Sequence, residues 1–151
     1  METFGSADEI LDFAIAREQD AFDFYTGWSK RTKSDAMRKF FEELASEERK
    51  HKEFLEQIKA GRELAPFESK IEDLKIAEFM VQSAPDEDLS YQDALILAMK
   101  REKASFKLYN YLADVADEAK LKDLFRKLAQ EEAKHKLRLE IEYDDNIMPE
   151  N

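Results

Sequence analysis

The two halves of this 151-residue chain repeat each other at a fixed spacing of 84 positions. The residues with an identical partner 84 positions later include Leu11, Ala14, Arg17, Glu18, Phe22, Tyr25, Phe41, Leu44, Ala45, Glu47, Glu48, Lys50, His51, Lys52 and Leu55. A repeat this extended is most simply explained by two copies of one substructure. We therefore expect two related units with a pseudo-two-fold axis.

The composition favours helices in both halves. The chain holds only three Gly and three Pro, so it is poor in the turn residues that short strands need and rich in helix formers. Capping and stop signals predict four helices: from the capping box Ser6–Glu9 to about Lys33, from Ser34 or Asp35 to just before Gly61, from the capping-box-like Ser90–Asp93 to a break near Asp117, and from there to about Tyr143. The sequence thus predicts an all-α chain of two duplicated helical hairpins.

Both histidines of the chain belong to the repeat, and each follows a glutamate by three positions. A further glutamate repeats in the preceding helix of each half. Each half therefore contains one Glu and one Glu-x-x-His, and the six residues are Glu18, Glu48, His51, Glu102, Glu132 and His135. A four-helix bundle that points this set at one interior point binds two metal ions. The set predicts a di-iron centre, with manganese or zinc as alternatives, because ligand type alone does not separate these metals.

The six residues also interrupt the apolar seams of the predicted helices, which step by three and four positions. The seams are Leu11, Ile15, Glu18, Phe22 and Tyr25; Met37, Phe41, Leu44, Glu48, His51, Leu55 and Ile58; Leu95, Met99, Glu102, Phe106 and Tyr109; and Leu121, Phe125, Leu128, Glu132, His135 and Leu139. A buried carboxylate costs several kcal/mol unless a partner compensates its charge. Two divalent ions would balance four glutamates, and two neutral imidazoles would complete the ligand set.

The four seam glutamates also lie at one level. Glu18 and Glu48 are symmetric about position 33, and Glu102 and Glu132 are symmetric about position 117. At the rise of an α-helix, each lies roughly 22 Å from its turn. We therefore expect the carboxylates to converge in the middle of the bundle.

Each His-containing motif reads EE-x-x-H, so Glu47 and Glu131 compete with the glutamates that follow them. Glu48 and Glu132 are favoured because residues three apart share a helical face. Glu47 and Glu131 are expected to face solvent or the surroundings of the ligands, although the motif leaves the choice open.

The aromatic residues divide into two groups. Tyr25 and Tyr109 each lie seven positions beyond a predicted ligand on the same face. The Tyr25 hydroxyl is therefore a candidate catalytic group, as a hydrogen-bond donor or radical quencher, with packing alone as the alternative. Six phenylalanines are instead expected to be ordinary core: Phe13, Phe22, Phe40, Phe41, Phe106 and Phe125.

The segment 62–89 joins the two predicted hairpins. It contains Ile71, Leu74, Phe79 and Met80, and we expect a short fifth helix there that packs across the bundle. A long crossover lets two hairpins associate with ferritin-like four-helix topology. The whole chain, 1–151, is predicted to be a single domain that buries roughly two-thirds of its unfolded surface.

Charge and cysteine content exclude several classes of function. The net charge of −11 comes from interspersed acidic and basic residues, which argues against a nucleic-acid surface. The absence of cysteine excludes disulfides, iron–sulfur centres and a rubredoxin-type iron site within this chain. The N-terminus lacks the pattern of a signal peptide, and the longest apolar run, 94–99, is too short to span a bilayer. The sequence predicts a soluble cytoplasmic protein.

Taken together, the E-x-x-A-x-x-x-Y motif at Glu18–Tyr25, the two EE-x-x-H motifs and Glu102 resemble the rubrerythrin branch of the ferritin-like superfamily. The resemblance covers nearly the whole chain. It implies a non-haem di-iron centre that cycles between diferrous and diferric states and reduces peroxide or oxygen. It also implies that Glu48 and Glu132 bind metal together with His51 and His135. Glu18 and Glu102 then complete the ligand sets of the two irons.

The chain departs from that family in two respects. Typical rubrerythrins carry a rubredoxin domain, which is absent here, so electrons are expected from a separate donor protein. They also carry a further glutamate one turn beyond the first on the third helix, where this chain has Ser105.

The leading functional prediction is a di-iron oxidoreductase that reduces hydrogen peroxide. The alternatives are an iron-binding ferroxidase or storage protein, and a bundle that holds zinc or manganese for structure only. A homodimer is predicted rather than a cage, because Phe79 and Met80 in the crossover add apolar surface that a monomer would leave uncovered.

Overall fold

A computed structural model describes residues 7–32, 34–61, 90–116 and 119–146. It contains four α-helices: α1 Ala7–Arg31, α2 Asp35–Gly61, α3 Tyr91–Val115 and α4 Ala119–Asn146. No strand occurs in these ranges, so the predicted helical class and helix order are confirmed. The expected fifth helix in 62–89, with Phe79 and Met80, lies outside the described residues. None of the described helices has the length and apolarity needed to cross a membrane.

Serine side chains cap two of the helices. The Ser90 hydroxyl accepts a hydrogen bond from the backbone N–H of Asp93 at 3.0 Å, as the sequence predicted. Ser34 accepts a longer bond, 3.4 Å, from the N–H of Met37, so Ser34 caps α2 and Asp35 begins it. Each such cap stabilises a helix by about 1 kcal/mol.

Two helix ends differ from the prediction. Gly61 is the last residue of α2 rather than a residue beyond it, and its backbone does not adopt the left-handed conformation of a glycine that follows a helix. Helix α4 continues past Tyr143 because the Asn146 side chain donates to the backbone carbonyl of Glu142 at 3.1 Å and extends the last turn.

The helices form two compact units, the α1–α2 hairpin and the α3–α4 hairpin. Each has a core that repeats residues of the other. Tyr25 stacks on Phe41 with ring centroids 6.0 Å apart, and Tyr109 stacks on Phe125 at 6.4 Å. The duplication therefore extends to side-chain packing, while the single domain 1–151 stays a prediction.

The predicted seams are confirmed in α2 and α4, where every seam residue except Met37 is buried. In α1 and α3 the buried face is rotated. Ala14 and Ala98 are fully buried, whereas four residues expected on the seam or in the core are partly exposed, namely Ile15, Phe22, Met99 and Phe106. At 100° per residue, Ile15 and Phe22 lie to one side of the Glu18 direction, by about 60° and 40°, whereas Ala14 lies about 40° to the other side. The buried face is therefore rotated toward the side of Ala14, and α3 repeats this rotation. Phe13 and Phe40, also expected in the core, are partly exposed as well.

Candidate metal centre

The α1–α2 hairpin brings two carboxylates and one imidazole together in its interior. Glu18 lies on α1, and Glu48 and His51 lie one turn apart on α2; none of the three is more than 4% exposed. The His51 Nδ1 atom is 3.1 Å from a Glu18 oxygen and 3.3 Å from a Glu48 oxygen. One donor atom from each residue lies within 4.8 Å of the others. We refer to these three residues as the first triad.

The α3–α4 hairpin contains the same arrangement, the second triad. Glu102 lies on α3, and Glu132 and His135 lie on α4, all at most 2% exposed. The His135 Nδ1 atom is 3.5 Å from a Glu102 oxygen and 3.3 Å from a Glu132 oxygen. Their donor atoms also lie within 4.8 Å of one another. Every residue in the second triad stands 84 positions after its counterpart in the first.

Helical geometry explains which glutamates reach the histidines. Residues three apart share a face, so Glu48 and Glu132 point with their histidines into the hairpin interior. Glu47 and Glu131 are turned by 100° and are only half-buried. The structure therefore brings the second glutamate of each EE-x-x-H motif, rather than the first, next to the imidazole.

The donor spacing within each triad fits a metal ion. Protein nitrogen and oxygen atoms bind first-row divalent metals at about 2.0–2.2 Å, so two donors at octahedral or tetrahedral angles stand about 3.0–3.5 Å apart. The His–Glu separations of 3.1–3.5 Å lie in that range. Two carboxylates and an imidazole are also ligands that iron, manganese and zinc accept. Each triad is therefore a carboxylate–histidine cluster that can hold a divalent cation.

A divalent cation would also correct the local charge. Two carboxylates confined together without water carry a desolvation penalty of several kcal/mol per ion, and each hairpin buries such a pair. A neutral imidazole supplies a lone pair but no charge. The triads therefore combine donor atoms that a divalent cation accepts with carboxylates whose charge that cation would balance.

Tyr25 is placed in the core of the first hairpin. Its side chain is 1% exposed, stacks on Phe41 and meets Phe24 edge-on with ring centroids 5.5 Å apart. Tyr109 is equally buried in the second hairpin. Packing therefore contributes to both positions, and a catalytic role for the Tyr25 hydroxyl stays a prediction.

Sequence reasoning did not foresee two features of the α3–α4 hairpin. The Tyr91 hydroxyl donates to a Glu142 oxygen at 2.6 Å, and burial, followed by this bond and the Glu142 charge, raises the pKa of Tyr91 well above its usual range. The hairpin also has an open groove of about 310 Å³, here called the lysine groove. It is lined by Lys103, Phe106, Lys107, Ala133, Lys136 and Glu140. In the sequence, the only indication of this groove is Phe106 between Lys103 and Lys107, which are four positions apart.

Solved structures show the same fold. A protein from Thermotoga maritima, described as a ferritin-like diiron-carboxylate protein, aligns with a TM-score of 0.78 and 24% identity, covering 97% of this chain and 99% of its own. A hypothetical protein from Pyrococcus furiosus aligns with a TM-score of 0.72 and 28% identity, covering 92% of this chain and 89% of its own. The predicted ferritin-like four-helix-bundle class is therefore confirmed.

The family assignment follows from the sequence. The family model for rubrerythrin matches residues 9–143, which is most of the chain. A comparison with curated proteins finds no significant match. The chain belongs to the rubrerythrin family, as the motifs predicted.

Proposed function

We propose that this chain is a non-haem di-iron oxidoreductase that reduces hydrogen peroxide with electrons from a separate donor protein. The observation that carries the proposal is the repeated triad, in which two carboxylates and an imidazole lie at metal-ligand spacing inside each hairpin. Membership of the rubrerythrin family supports iron as the metal. The proposed ligands are Glu18, Glu48, His51, Glu102, Glu132 and His135, with two ions per chain.

Two bound ferrous ions would supply the two electrons that convert hydrogen peroxide and two protons into two molecules of water. The residues of the chain prepare the site for that chemistry. Four carboxylates compensate the charge of the ions, and the histidines bind as neutral imidazoles. The burial of both triads keeps bulk water away, which strengthens electrostatic interactions within the site.

We propose Tyr25 as a catalytic residue whose hydroxyl donates a hydrogen bond to the oxygen substrate or quenches a radical. Its burial and its position seven residues beyond Glu18 support this role. Tyr25→Phe should slow the reaction with peroxide or increase side-oxidation of the protein while leaving iron content unchanged. Loss of iron in that variant would instead point to a structural role.

A ferroxidase or storage function is the second candidate, and Ser105 favours it. Rubrerythrins of the typical kind have a carboxylate one turn beyond the first ligand of the third helix, and this chain has a hydroxyl there. Fewer exchangeable carboxylates would leave oxidation of iron possible but make repeated turnover slow.

Rapid mixing of the anaerobically loaded ferrous protein distinguishes the two candidates. For a peroxide reductase, hydrogen peroxide should oxidise the centre faster than oxygen does, and a reductant should restore the ferrous state without mineral formation. Faster reaction with oxygen, together with iron retained beyond two ions per chain, would overturn the peroxidase proposal in favour of ferroxidase or storage. Elemental analysis of the same samples measures iron, manganese and zinc together.

A further inference from the structure

The lysine groove is a cationic surface on an acidic chain. Lys103 and Lys107 are exposed, and Lys136 forms an ion pair with Glu140 at 3.0 Å. Three lysines therefore face one glutamate in a chain whose net charge is −11. Phe106 adds an aromatic ring that is 36% exposed. Basic residues around an exposed ring form a surface suited to an acidic partner.

The groove lies directly outside the second triad. Lys103 follows Glu102 in α3, and Lys136 follows His135 in α4. Ala133, which also lines the groove, follows Glu132. Successive helical residues share a turn and differ only in direction, so the groove and the triad occupy the same level of the hairpin. A helix with its side chains is about 10–12 Å across, which puts the groove on the order of 10 Å from the triad.

The equivalent surface of the α1–α2 hairpin has a different character. Lys52, the counterpart of Lys136, donates to the Gln19 side chain at 2.8 Å, and Gln19 in turn donates to Asp23 at 2.9 Å. Gln19 and Asp23 stand where the other hairpin has Lys103 and Lys107. Polar groups therefore satisfy one another at these positions of α1 and α2, and the first hairpin has one lysine where the lysine groove has three.

We propose that the lysine groove is the docking surface for an acidic electron-donor protein that re-reduces the metal centre. This inference rests on the proposed function, because each peroxide consumes two electrons and two protons, and those electrons must be returned by a reduced donor that becomes oxidised. The chain has no cysteine for an iron–sulfur centre of its own. The net charge of −11 repels an acidic donor at long range, whereas the three lysines attract it at the groove, so the field orients the donor toward the nearby triad.

Charge reversal tests the docking surface. The test variant is Lys103→Glu/Lys107→Glu/Lys136→Glu, and the matched control, Lys30→Glu/Lys39→Glu/Lys50→Glu, makes the same charge change at exposed lysines of the other hairpin. Two acidic electron-transfer proteins, a rubredoxin and a flavodoxin, serve as reduced probes. At low ionic strength both probes should re-reduce the test variant at least about 10-fold more slowly than wild type. The rate for the test variant should also depend little on salt concentration. The control should change much less. Equal slowing in both variants, or none in either, would overturn the proposal.

A binding readout separates docking from catalysis. Amine labelling followed by mass spectrometry should show that the probes protect Lys103, Lys107 and Lys136 in wild-type protein, with or without iron, while Lys30 and Lys50 stay reactive. Protection without peroxide reduction would reject the proposed function and leave the docking surface standing. Peroxide reduction driven by dithionite, without protection of the groove lysines, would reject the docking surface alone. Circular dichroism of the test variant should confirm that it folds. Oxidation of its ferrous form by peroxide should confirm that it binds iron.

Discussion

The two hairpins are nearly the same inside and clearly different outside. Their triads have His–Glu separations of 3.1 and 3.3 Å in one and 3.5 and 3.3 Å in the other, and each has a tyrosine stacked on a phenylalanine. On the outer faces, a hydrogen-bonded Lys52–Gln19–Asp23 chain corresponds to the lysine groove. The comparison shows that metal-ligand geometry and core packing restrict the interior, while solvated positions tolerate changes of charge.

The two hairpins also differ in surface charge nearer their turns. In the second hairpin Arg126 pairs with Asp114 at 2.9 Å, and Lys122 donates to the backbone carbonyl of Ala113 at 3.0 Å. The counterparts of Asp114 and Arg126 in the first hairpin are Lys30 and Glu42, which reverses both charges. Those two residues line a cavity of about 320 Å³. Surface ion pairs of this kind contribute only about 0–1 kcal/mol, so their exchange leaves the hairpin intact.

The largest expected effect tests whether the two triads are equivalent in metal binding. His51→Ala and His135→Ala each remove one ligand, so each variant should bind about one iron ion per chain instead of two, and the double variant should bind almost none. Elemental analysis after anaerobic loading and desalting measures the ratio. Lys52→Ala, next to His51 but outside the triad, is the control. Full retention of two ions in the double variant would reject both triads.

Metal binding should also stabilise the folded chain through both hairpins. At free Fe(II) or Mn(II) about 100 times the dissociation constant, each site adds about 2.7 kcal/mol to the free energy of unfolding. Thermal unfolding followed by circular dichroism should show a midpoint that rises with metal, and each single histidine variant should lose about half of the rise. An unchanged midpoint despite demonstrated binding would contradict a buried carboxylate cluster.

Core substitutions compare the hairpins without metal. Phe41→Ala and Phe125→Ala remove fully buried rings, so each should lower the free energy of unfolding by about 3–5 kcal/mol. Phe106→Ala removes a ring that is 36% exposed and should cost about 1 kcal/mol or less. Urea denaturation of the apo protein measures all three. A large cost at Phe106 would show that this ring packs as core after all.

The smallest expected effect concerns the Tyr91–Glu142 hydrogen bond of the second hairpin, whose two positions are Ala7 and Ile58 in the first hairpin. Tyr91→Phe removes the bond to Glu142 and should cost about 1 kcal/mol. Asp12→Asn weakens the exposed Lys59–Asp12 pair of the first hairpin and should cost less than about 0.5 kcal/mol. Urea denaturation of wild type and of both variants measures the two losses of stability. Equal losses would contradict the expected difference between the hairpins.

The raised pKa of Tyr91 adds a pH signature to that variant. The folded state holds the phenolic proton more tightly than the unfolded state, whose tyrosine has a pKa of 10.0. The contribution of this proton to the free energy of unfolding is fully present below pH 10. It is lost as the pH rises above 10, because the unfolded chain then releases the proton first. Wild-type stability should therefore decline more steeply than that of Tyr91→Phe above pH 10.

The sequence predicted those parts of the fold that depend on local pattern. The alternating spacing in α2 and α4 placed Leu44, Glu48 and His51 correctly because strongly periodic helices bury one continuous stripe. The spacing of glutamates within each half also indicated which side chains meet. Both triads could be predicted because each is formed by residues about 33 positions apart on two adjacent helices.

Features that depend on helix rotation and tertiary contacts could not be predicted in this way. A pattern of three and four steps does not fix the angle at which a helix faces its neighbour, so Phe22 and Phe106 were wrongly placed in the core. The Tyr91–Glu142 bond joins positions 51 apart at the outer ends of two helices, and no local signal pairs them. The lysine groove also requires knowledge of which surface side chains adjoin.

Each triad is complete within a single stretch of chain, from Glu18 to His51 or from Glu102 to His135. A ribosome that has released the first hairpin has therefore released all three residues of the first triad before α3 emerges. Closing a loop of that length has a modest entropic cost, and a captured ion can offset it. We expect metal to act as a folding template during synthesis, one hairpin at a time. A nascent chain stalled with residues 1–61 outside the ribosome should then gain protease resistance when Fe(II) is supplied, and His51→Ala should abolish that gain.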